Sequence, residues 1–221
     1  MKTVLMVAEK PSLAQSLAKI LSRNNMRQRK GLSSACAVYE YEDYFLNQPA
    51  RFKFTSVCGH VMSLDFIPKY NNWDKVDPVS MFVKNIFPKF EKMFLYAAEL
   101  FSASTEKREA NPKLQIPKFL HTEARNCDYL VLWLDCDKEG ENICFEVINC
   151  VRDAMRPPQN RQEQFIYRAR FSAITEKDIR QAMKQLVEPN ENESLSVDAR
   201  QELDLRIGCA FTRFQTKFFQ V

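Results

Sequence analysis

The sequence predicts an α/β fold, with a parallel-rich sheet flanked by helices, followed by the first helix of a mostly helical domain. The first observation behind this prediction is an alternation of short β-rich runs with segments whose apolar residues recur at helical spacing. The second is one long apolar stripe at helical spacing, which starts after the polar, breaker-rich residues 189–193. We therefore expect an α/β domain over residues 1–187 and the beginning of a second domain over residues 188–221.

The chain opens with a strand and a helix. Residues 3–8 are apolar and β-rich, which indicates a buried strand. Leu13, Leu17 and Leu21 then recur at helical spacing. Ser12, with a glutamine three residues later, resembles a capping box, so we expect a helix that is capped by Ser12.

The remaining elements continue the alternation. Two aromatic and β-branched runs, separated by an Asn-Gln-Pro turn, indicate a hairpin. Farther along, an apolar strand is followed by a helix, a further strand and a further helix. In order, the predicted elements are the hairpin strands 37–45 and 51–57, the strand 129–134, the helix 140–151, the strand 165–171 and the helix 175–187.

Composition excludes several classes of protein. Hydrophobic residues make up 45% and charged residues 27% of the 221 residues, which is typical of a soluble globular protein. The longest apolar run is far shorter than the ~20 residues that span a bilayer. The apolar N-terminal run breaks at Glu9, too early for a secretory signal. We expect an intracellular protein without a membrane partner.

The cysteines and histidines limit which disulfide and metal sites the chain can contain. The seven cysteines are odd in number and scattered without a Cys-x-x-Cys pair, which indicates buried reduced thiols and not a disulfide framework or a zinc finger. Only two histidines are present, His60 and His121. These counts exclude a histidine-rich metal site within the chain.

Charge is distributed unevenly along the sequence. The net charge of +4 is mildly basic and indicates nucleic-acid binding only weakly. A basic cluster comprises Arg23, Arg27, Arg29 and Lys30, and an acidic cluster lies within residues 135–141. Basic patches beside an acidic pocket suit an enzyme that grips phosphates and holds a metal ion at one point.

Asp135, Asp137 and Glu139 form the most informative motif. Because side chains alternate along a strand, Asp135 and Asp137 are expected on the same side at its carboxyl end, with Glu139 just before the helix. Ligands of open α/β sheets collect at such ends, and converging carboxylates repel one another unless a cation intervenes. Oxygen-only ligands favour Mg2+. The alternative is a solvated turn at a helix start, where the helix dipole favours acidic residues.

Glu9 and Lys10 follow the first predicted strand. If strands 3–8 and 129–134 are parallel neighbours, Glu9 reaches the pocket of the acidic motif. A carboxylate beside a metal cluster but on a different element is a candidate general acid or base. Lys10 is placed to hold a phosphate or to tune Glu9. The combination favours a functional site over a solvated turn.

These motifs, in this order, resemble the TOPRIM domain of type IA topoisomerases, and most closely eukaryotic topoisomerase III in its beta form. The resemblance covers nearly the whole chain. Residues 81–96, which are rich in phenylalanine, resemble an insertion into the family pattern. The matching motifs are residues 4–12 (VLMVAEKPS), 56–61 (SVCGHV), 135–141 (DCDKEGE) and 170–175 (RFSAIT), with Asp198, Ala199, Arg200, Asp204, Gly208 and Arg213.

The resemblance implies an ATP-independent enzyme that cleaves, passes and rejoins single strands through a 5′-phosphotyrosyl link. It implies that Glu9 is the acid or base near the leaving 3′-oxygen and that Lys10 contacts the scissile phosphate. Asp135, Asp137 and Glu139 would hold Mg2+. None of the seven tyrosines lies in a motif like the family's nucleophile, so we expect the nucleophile in a later domain and this chain alone to be inactive.

The resemblance also implies a set of nucleic-acid-binding residues, namely His60, Lys138, Arg200, Asp204 and Arg213. A structural histidine after a glycine turn is an equal alternative for His60. Arg200 and Asp204 lie four residues apart on a predicted helix, so an ordinary helix ion pair explains them equally well. Lys138 stands where many relatives carry arginine, which keeps the charge but loses bidentate phosphate binding.

The expected partners are single-stranded DNA and RNA, together with an accessory protein that binds regions outside this chain. The expected location is the nucleus, with the cytoplasm second. Two rival functions remain open. A TOPRIM nuclease or primase would use a metal-activated nucleophile and would be active as this chain alone. A non-catalytic protein would bind nucleic acid or a partner independently of Mg2+ and of the acidic residues.

Overall fold

The computed structural model describes residues 1–71, 103–156 and 163–219. The predicted insertion at residues 81–96 lies outside these ranges. The strands are β1 Lys2–Ala8, β2 Arg27–Lys30, β3 Ala37–Phe45, β4 Gln48–Ser56, β5 Met62–Phe66, β6 Thr105–Glu109, β7 Tyr129–Trp133 and β8 Ile166–Arg168. The helices are α1 Pro11–Ser22, α2 Pro68–Asn71, α3 Ile116–Ala124, α4 Lys138–Val151, α5 Glu176–Lys184 and α6 Glu191–Phe219, with a 3-10 turn at Arg152–Ala154.

Contacts divide the chain into two compact units. The first comprises Met1–Met62 and Glu109–Val197, and the second comprises Ser63–Arg108 and Asp198–Val221. The domain ranges 1–187 and 188–221 stay predictions. Among the described helices, none combines the length and the hydropathy that crossing a bilayer requires.

A six-stranded sheet in the order β2-β3-β4-β1-β7-β8 forms the centre of the first unit. The strands β4, β1, β7 and β8 are parallel to one another, whereas β2 and β3 pair antiparallel at one end. The hairpin of β3 and β4 confirms the predicted pairing of the two runs. Its turn lies at Leu46 and Asn47, which have positive φ, because Gln48 and Pro49 already belong to β4 and not to the turn as predicted. The predicted α/β fold with a parallel-rich, helix-flanked sheet is therefore confirmed.

The central strand β1 is apolar because both faces of the sheet are covered. Val4 and Met6 join a core with the apolar face of α1, including Leu17. Leu5 joins a second core on the opposite face, with Phe119 of α3. Continuous apolar runs of this kind are typical of central strands in parallel sheets. The burial fixes β1 beside both β4 and β7.

Helix α1 begins two residues earlier than the capping-box prediction requires. Its N-cap is Lys10, which makes no side-chain capping bond, and Pro11 occupies the first helical position. Proline suits this position because its fixed φ is helical and its missing N–H would lack a helical partner in any case. The prediction that Ser12 caps this helix is therefore wrong.

The last α/β elements are shorter than predicted. The strand expected over residues 165–171 is reduced to Ile166–Arg168, after which Arg168 bridges antiparallel to Val187. The helix expected over residues 175–187 is Glu176–Lys184, and the hydroxyl of Thr175 caps it by accepting from the Asp178 amide. Strand and helix are thus confirmed in kind, with narrower bounds.

The second unit contains the two-stranded sheet of β5 and β6 and most of α6. Phe66 and Ala210 belong to its small core. The predicted apolar stripe does lie on a helix, but Leu203, Ile207 and Phe211 are 50%, 44% and 49% exposed. The stripe is therefore not the buried face of α6 within the described residues.

Candidate active site

The carboxyl ends of β1 and β7 bring Glu9, Lys10 and Asp135 together. In the parallel pairing, Ala8 stands opposite Trp133, so the residues that follow each strand meet at one edge of the sheet. The Glu9 carboxylate accepts a hydrogen bond from the Asp135 amide at 3.2 Å. The Lys10 Nζ lies 3.3 Å from Glu9 Oε1 and 3.6 Å from Asp135 Oδ2.

The Lys10 ammonium is the cation that faces these two carboxylates. Its pKa is raised, first by the hydrogen bond to Glu9 and then by the negative charges of Glu9 and Asp135. The Glu9 side chain is only 12% exposed, whereas that of Asp135 is 47% exposed. Glu9 is thus a shielded carboxylate beside an open one.

Asp137 caps helix α4. Its Oδ1 accepts a hydrogen bond of 2.7 Å from the Gly140 amide, and Glu139 and Glu141 occupy the first helical turn. This is the helix-start arrangement that the sequence left open as an alternative, and the helix dipole favours it. Capping does not exclude a functional role, because the cap holds the carboxylate at the same edge as Asp135.

Gly140 is required by the tightness of the turn between β7 and α4. A Cβ atom at this position would lie 1.9 Å from the carbonyl oxygen of Asp135, which is backbone and cannot swing away. Only glycine therefore allows α4 to start so close to residues 134–137, here called the acidic loop. Sequence reasoning did not assign Gly140 a role, although a glycine amid four acidic residues was the available signal.

His60 bridges two glutamates of α4. Its Nε2 lies 3.1 Å from Glu139 and its Nδ1 lies 3.2 Å from Glu146. Glu146 is buried and also accepts a hydrogen bond of 2.7 Å from the Val61 amide. The bond to Glu146 raises the pKa of His60 in spite of partial burial, and Glu139 adds to the effect. Glu146 was missed, and its place two turns after Glu139 was the only sequence signal.

A buried ion pair, formed by Arg168 and Glu141, contacts the backbone of the acidic loop. The side chains of Arg168 and Glu141 are 0% and 1% exposed, and Arg168 Nε donates to Glu141 at 2.9 Å. The same guanidinium donates to the carbonyl oxygens of Leu134 at 2.9 Å and of Asp135 at 2.7 Å. Sequence reasoning missed this pair as well, since its only signal was a charged residue in a short apolar strand.

Of the other predicted nucleic-acid-binding residues, one belongs to the first unit and three belong to the second. Lys138 is exposed at the first position of α4. Within the second unit, Arg200 and Asp204 are exposed on α6, whereas Arg213 is buried and donates to the carbonyl oxygen of Tyr70. Their roles stay predictions.

The edge of the sheet that carries Glu9, Asp135 and Asp137, here called the acidic edge, offers carboxylate oxygens as ligands. These oxygens do not form a cluster of three ligands. Across the described ranges, no group of three or more His, Cys, Asp or Glu side chains converges closely enough to hold a metal ion. The carboxylate oxygens nevertheless suit a divalent cation that prefers oxygen ligands. The carboxylates of Glu9 and Asp135 already neutralise one positive charge, that of the Lys10 ammonium.

Comparison with known proteins agrees with this fold. The Toprim domain family matches residues 4–174. The chain belongs to the Toprim domain family.

Several curated relatives resemble the chain over its whole length. DNA topoisomerase 3-beta-1 of Mus musculus is 64% identical and that of Homo sapiens 63% identical, each over 100% of this chain and 23% of the relative. DNA topoisomerase 3-beta of Drosophila melanogaster is 58% identical over the same shares. The chain thus spans about a quarter of the length of these relatives, and the resemblance to topoisomerase III of the beta form is confirmed.

Among solved structures, full-length topoisomerase I from Thermotoga maritima matches 92% of this chain and 24% of its own, with a TM-score of 0.51 and 20% identity. At that identity the likeness shows the fold alone.

Proposed function

We propose that this chain is the metal-binding and acid/base half of a type IA topoisomerase. Such an enzyme cleaves, passes and rejoins single nucleic-acid strands through a 5′-phosphotyrosine, without ATP. The observation that carries the proposal is the meeting of Glu9, Lys10 and Asp135 beyond two adjacent parallel strands. The similarity of the whole of this chain to part of the 3-beta topoisomerases favours this reaction over that of a Toprim nuclease or primase.

Glu9 is proposed to handle the proton of the leaving 3′-oxygen. When a tyrosine oxygen attacks the phosphorus, the bond to the 3′-oxygen breaks, and that oxygen needs a proton. Glu9 is shielded from solvent, and its Oε1 lies 3.3 Å from Lys10. Lys10 is exposed and is proposed to bind the scissile phosphate, which would replace one of its carboxylate partners by a phosphate oxygen.

Mg2+ is the proposed cofactor. When bound, it supplies positive charge near the phosphate. Asp135, Asp137 and Glu139 would hold it, and their oxygen-only chemistry supports this assignment. Asp137 now caps α4, and Glu139 contacts His60. His60 would keep Glu139 oriented toward the edge of the sheet until a cation competes for the carboxylate.

Single-stranded DNA and RNA are the proposed substrates, and an accessory protein would bind regions outside this chain. The proposed location is the nucleus and, second, the cytoplasm. The proposed nucleic-acid-binding residues are His60, Lys138, Arg200, Asp204 and Arg213.

The test compares this chain with the full-length enzyme of which we propose it to be a part. Negatively supercoiled plasmid is incubated with each protein, with and without Mg2+. We expect relaxation by the full-length enzyme only, its loss in Glu9→Gln, and its retention in Asp153→Asn, an exposed acidic control on the 3-10 turn. Near wild-type relaxation by Glu9→Gln would refute the acid/base role.

The chain alone gives a second, independent outcome. Mg2+-dependent nicking by the 221-residue chain, abolished by Asp137→Asn, would identify a complete metal nuclease and overturn the proposal of a half-site. Binding of single strands that ignores both Mg2+ and the acidic residues would instead favour a non-catalytic role.

A further inference from the structure

Two cysteines that are distant in sequence lie side by side in the first unit. The Sγ atoms of Cys36 and Cys58 are 3.8 Å apart. Cys36 directly precedes β3, and Cys58 follows β4, so the antiparallel pairing of these strands brings the two thiols together. A disulfide needs an S–S distance of about 2.05 Å, which leaves roughly 1.8 Å to close. Cys58 is exposed on a turn, where its side chain has room to rotate.

The surroundings of the two thiols differ in a way that suits stepwise oxidation. Cys58 is exposed, so an oxidant in solution reaches it first. Cys36 is buried, and burial raises the pKa of its thiol to about 11. The buried hydroxyls of Ser33 and Ser56 lie beside Cys36 and act against this rise. Cys36 is thus protected from direct attack but stands next to the sulfur that is attacked.

We propose that Cys36 and Cys58 are a reversible oxidation site, which forms an intramolecular disulfide in the presence of a peroxide. In the first step the Cys58 sulfur attacks one peroxide oxygen, the O–O bond breaks, and Cys58 becomes a sulfenic acid with release of water. In the second step the Cys36 sulfur attacks the Cys58 sulfur, the S–O bond breaks, and a second water leaves. Two thiols lose two electrons and two protons in total, and the peroxide accepts both.

The pair is coupled to the candidate active site through the turn that Cys58 begins. The next residue, Gly59, has a positive φ of 80° and donates its amide hydrogen to the Glu9 carbonyl oxygen at 3.2 Å. His60 then contacts Glu139. A disulfide at Cys58 restrains this turn and holds His60 against Glu139. This consequence rests on the proposed function, in which Glu139 is a Mg2+ ligand.

The test uses the full chain, reduced and then titrated with hydrogen peroxide. Remaining thiols are alkylated, and the digest is analysed by mass spectrometry. We expect a peptide that links Cys36 to Cys58, with the mass of two hydrogens lost, and its disappearance after treatment with dithiothreitol. Cys58→Ser removes the linked peptide, whereas Cys136→Ser, which alters the other exposed cysteine, leaves it unchanged.

Two results would overturn the inference. One is oxidation of Cys58 to sulfinic acid without any linked peptide in a protein whose circular dichroism is unchanged. The other is a link from Cys58 to Cys136. The dissociation constant for Mg2+, measured by calorimetry, is expected to rise on oxidation and to return on reduction. Failure of the reduced protein to bind Mg2+ would refute the proposed metal site but leave the disulfide intact.

Discussion

Replacing Arg168 by methionine removes a guanidinium that is 0% exposed and leaves the 1% exposed carboxylate of Glu141 behind. In this variant Glu141 still accepts a hydrogen bond from the Asn190 amide at 3.0 Å, and it still contacts the half-exposed Arg170 at 3.4 Å. Breaking a buried pair on one side typically costs about 3–5 kcal/mol, because the remaining charge loses its buried partner. The carbonyl oxygens of Leu134 and Asp135 also lose their donor. We therefore expect Arg168→Met to lower the free energy of unfolding by about 3–5 kcal/mol.

Urea denaturation followed by circular dichroism measures this loss, and two variants control it. Arg170→Met removes the other arginine that contacts Glu141, but its side chain is 50% exposed, so its loss is expected to cost less than about 1 kcal/mol. The double variant Arg168→Met/Glu141→Leu removes both charges and is expected to recover part of the stability. Equal losses in Arg168→Met and Arg170→Met would refute the reasoning.

Two further predictions concern stability away from the ion pair. Gly140→Ala is expected to lower the free energy of unfolding in urea by at least about 1–3 kcal/mol, because the new Cβ overlaps the Asp135 carbonyl oxygen. Gly208→Ala is the control: its Cβ lies in open space on α6, so alanine is expected to stabilise the protein by about 1 kcal/mol. Burial raises the pKa of Glu40, but its bonds to Arg29 and Arg51, both 2.8 Å, outweigh burial and lower it. Glu40→Gln should therefore cost about 1 kcal/mol at neutral pH, and the difference should vanish as pH falls below the folded pKa; a difference that persists in acid would contradict this assignment.

The sequence predicted the part of the site that depends on local pattern and parallel pairing. The run of apolar residues in β1 and β7 indicated two buried parallel strands, and parallel pairing alone brings Glu9 beside Asp135. The acidic residues at the start of α4 likewise indicated a helix terminus. These features follow from periodicity and from local capping, which neighbouring residues determine.

The rest of the site depends on contacts that no local pattern encodes. Arg168 contacts Glu141 because β8 pairs with β7, the strand that leads into α4. A single arginine in a short strand does not indicate which residue it will contact. His60 meets Glu146 because the turn after β4 crosses α4. The expected Ser12 cap failed for a local reason, since Pro11 takes the first helical position. Long-range polar partners therefore required the structure.

The most direct test of the acidic edge is calorimetric titration of Mg2+ into the 221-residue chain and into its Asp135→Asn variant, with Asp153→Asn as control. The proposed site predicts binding by the chain and by Asp153→Asn. It predicts a dissociation constant about tenfold or more higher for Asp135→Asn, since losing even a hydrogen-bond partner of a metal ligand typically costs that much. Equal affinities in all three proteins, or no binding by the unaltered chain, would contradict the proposal that this edge is a metal site.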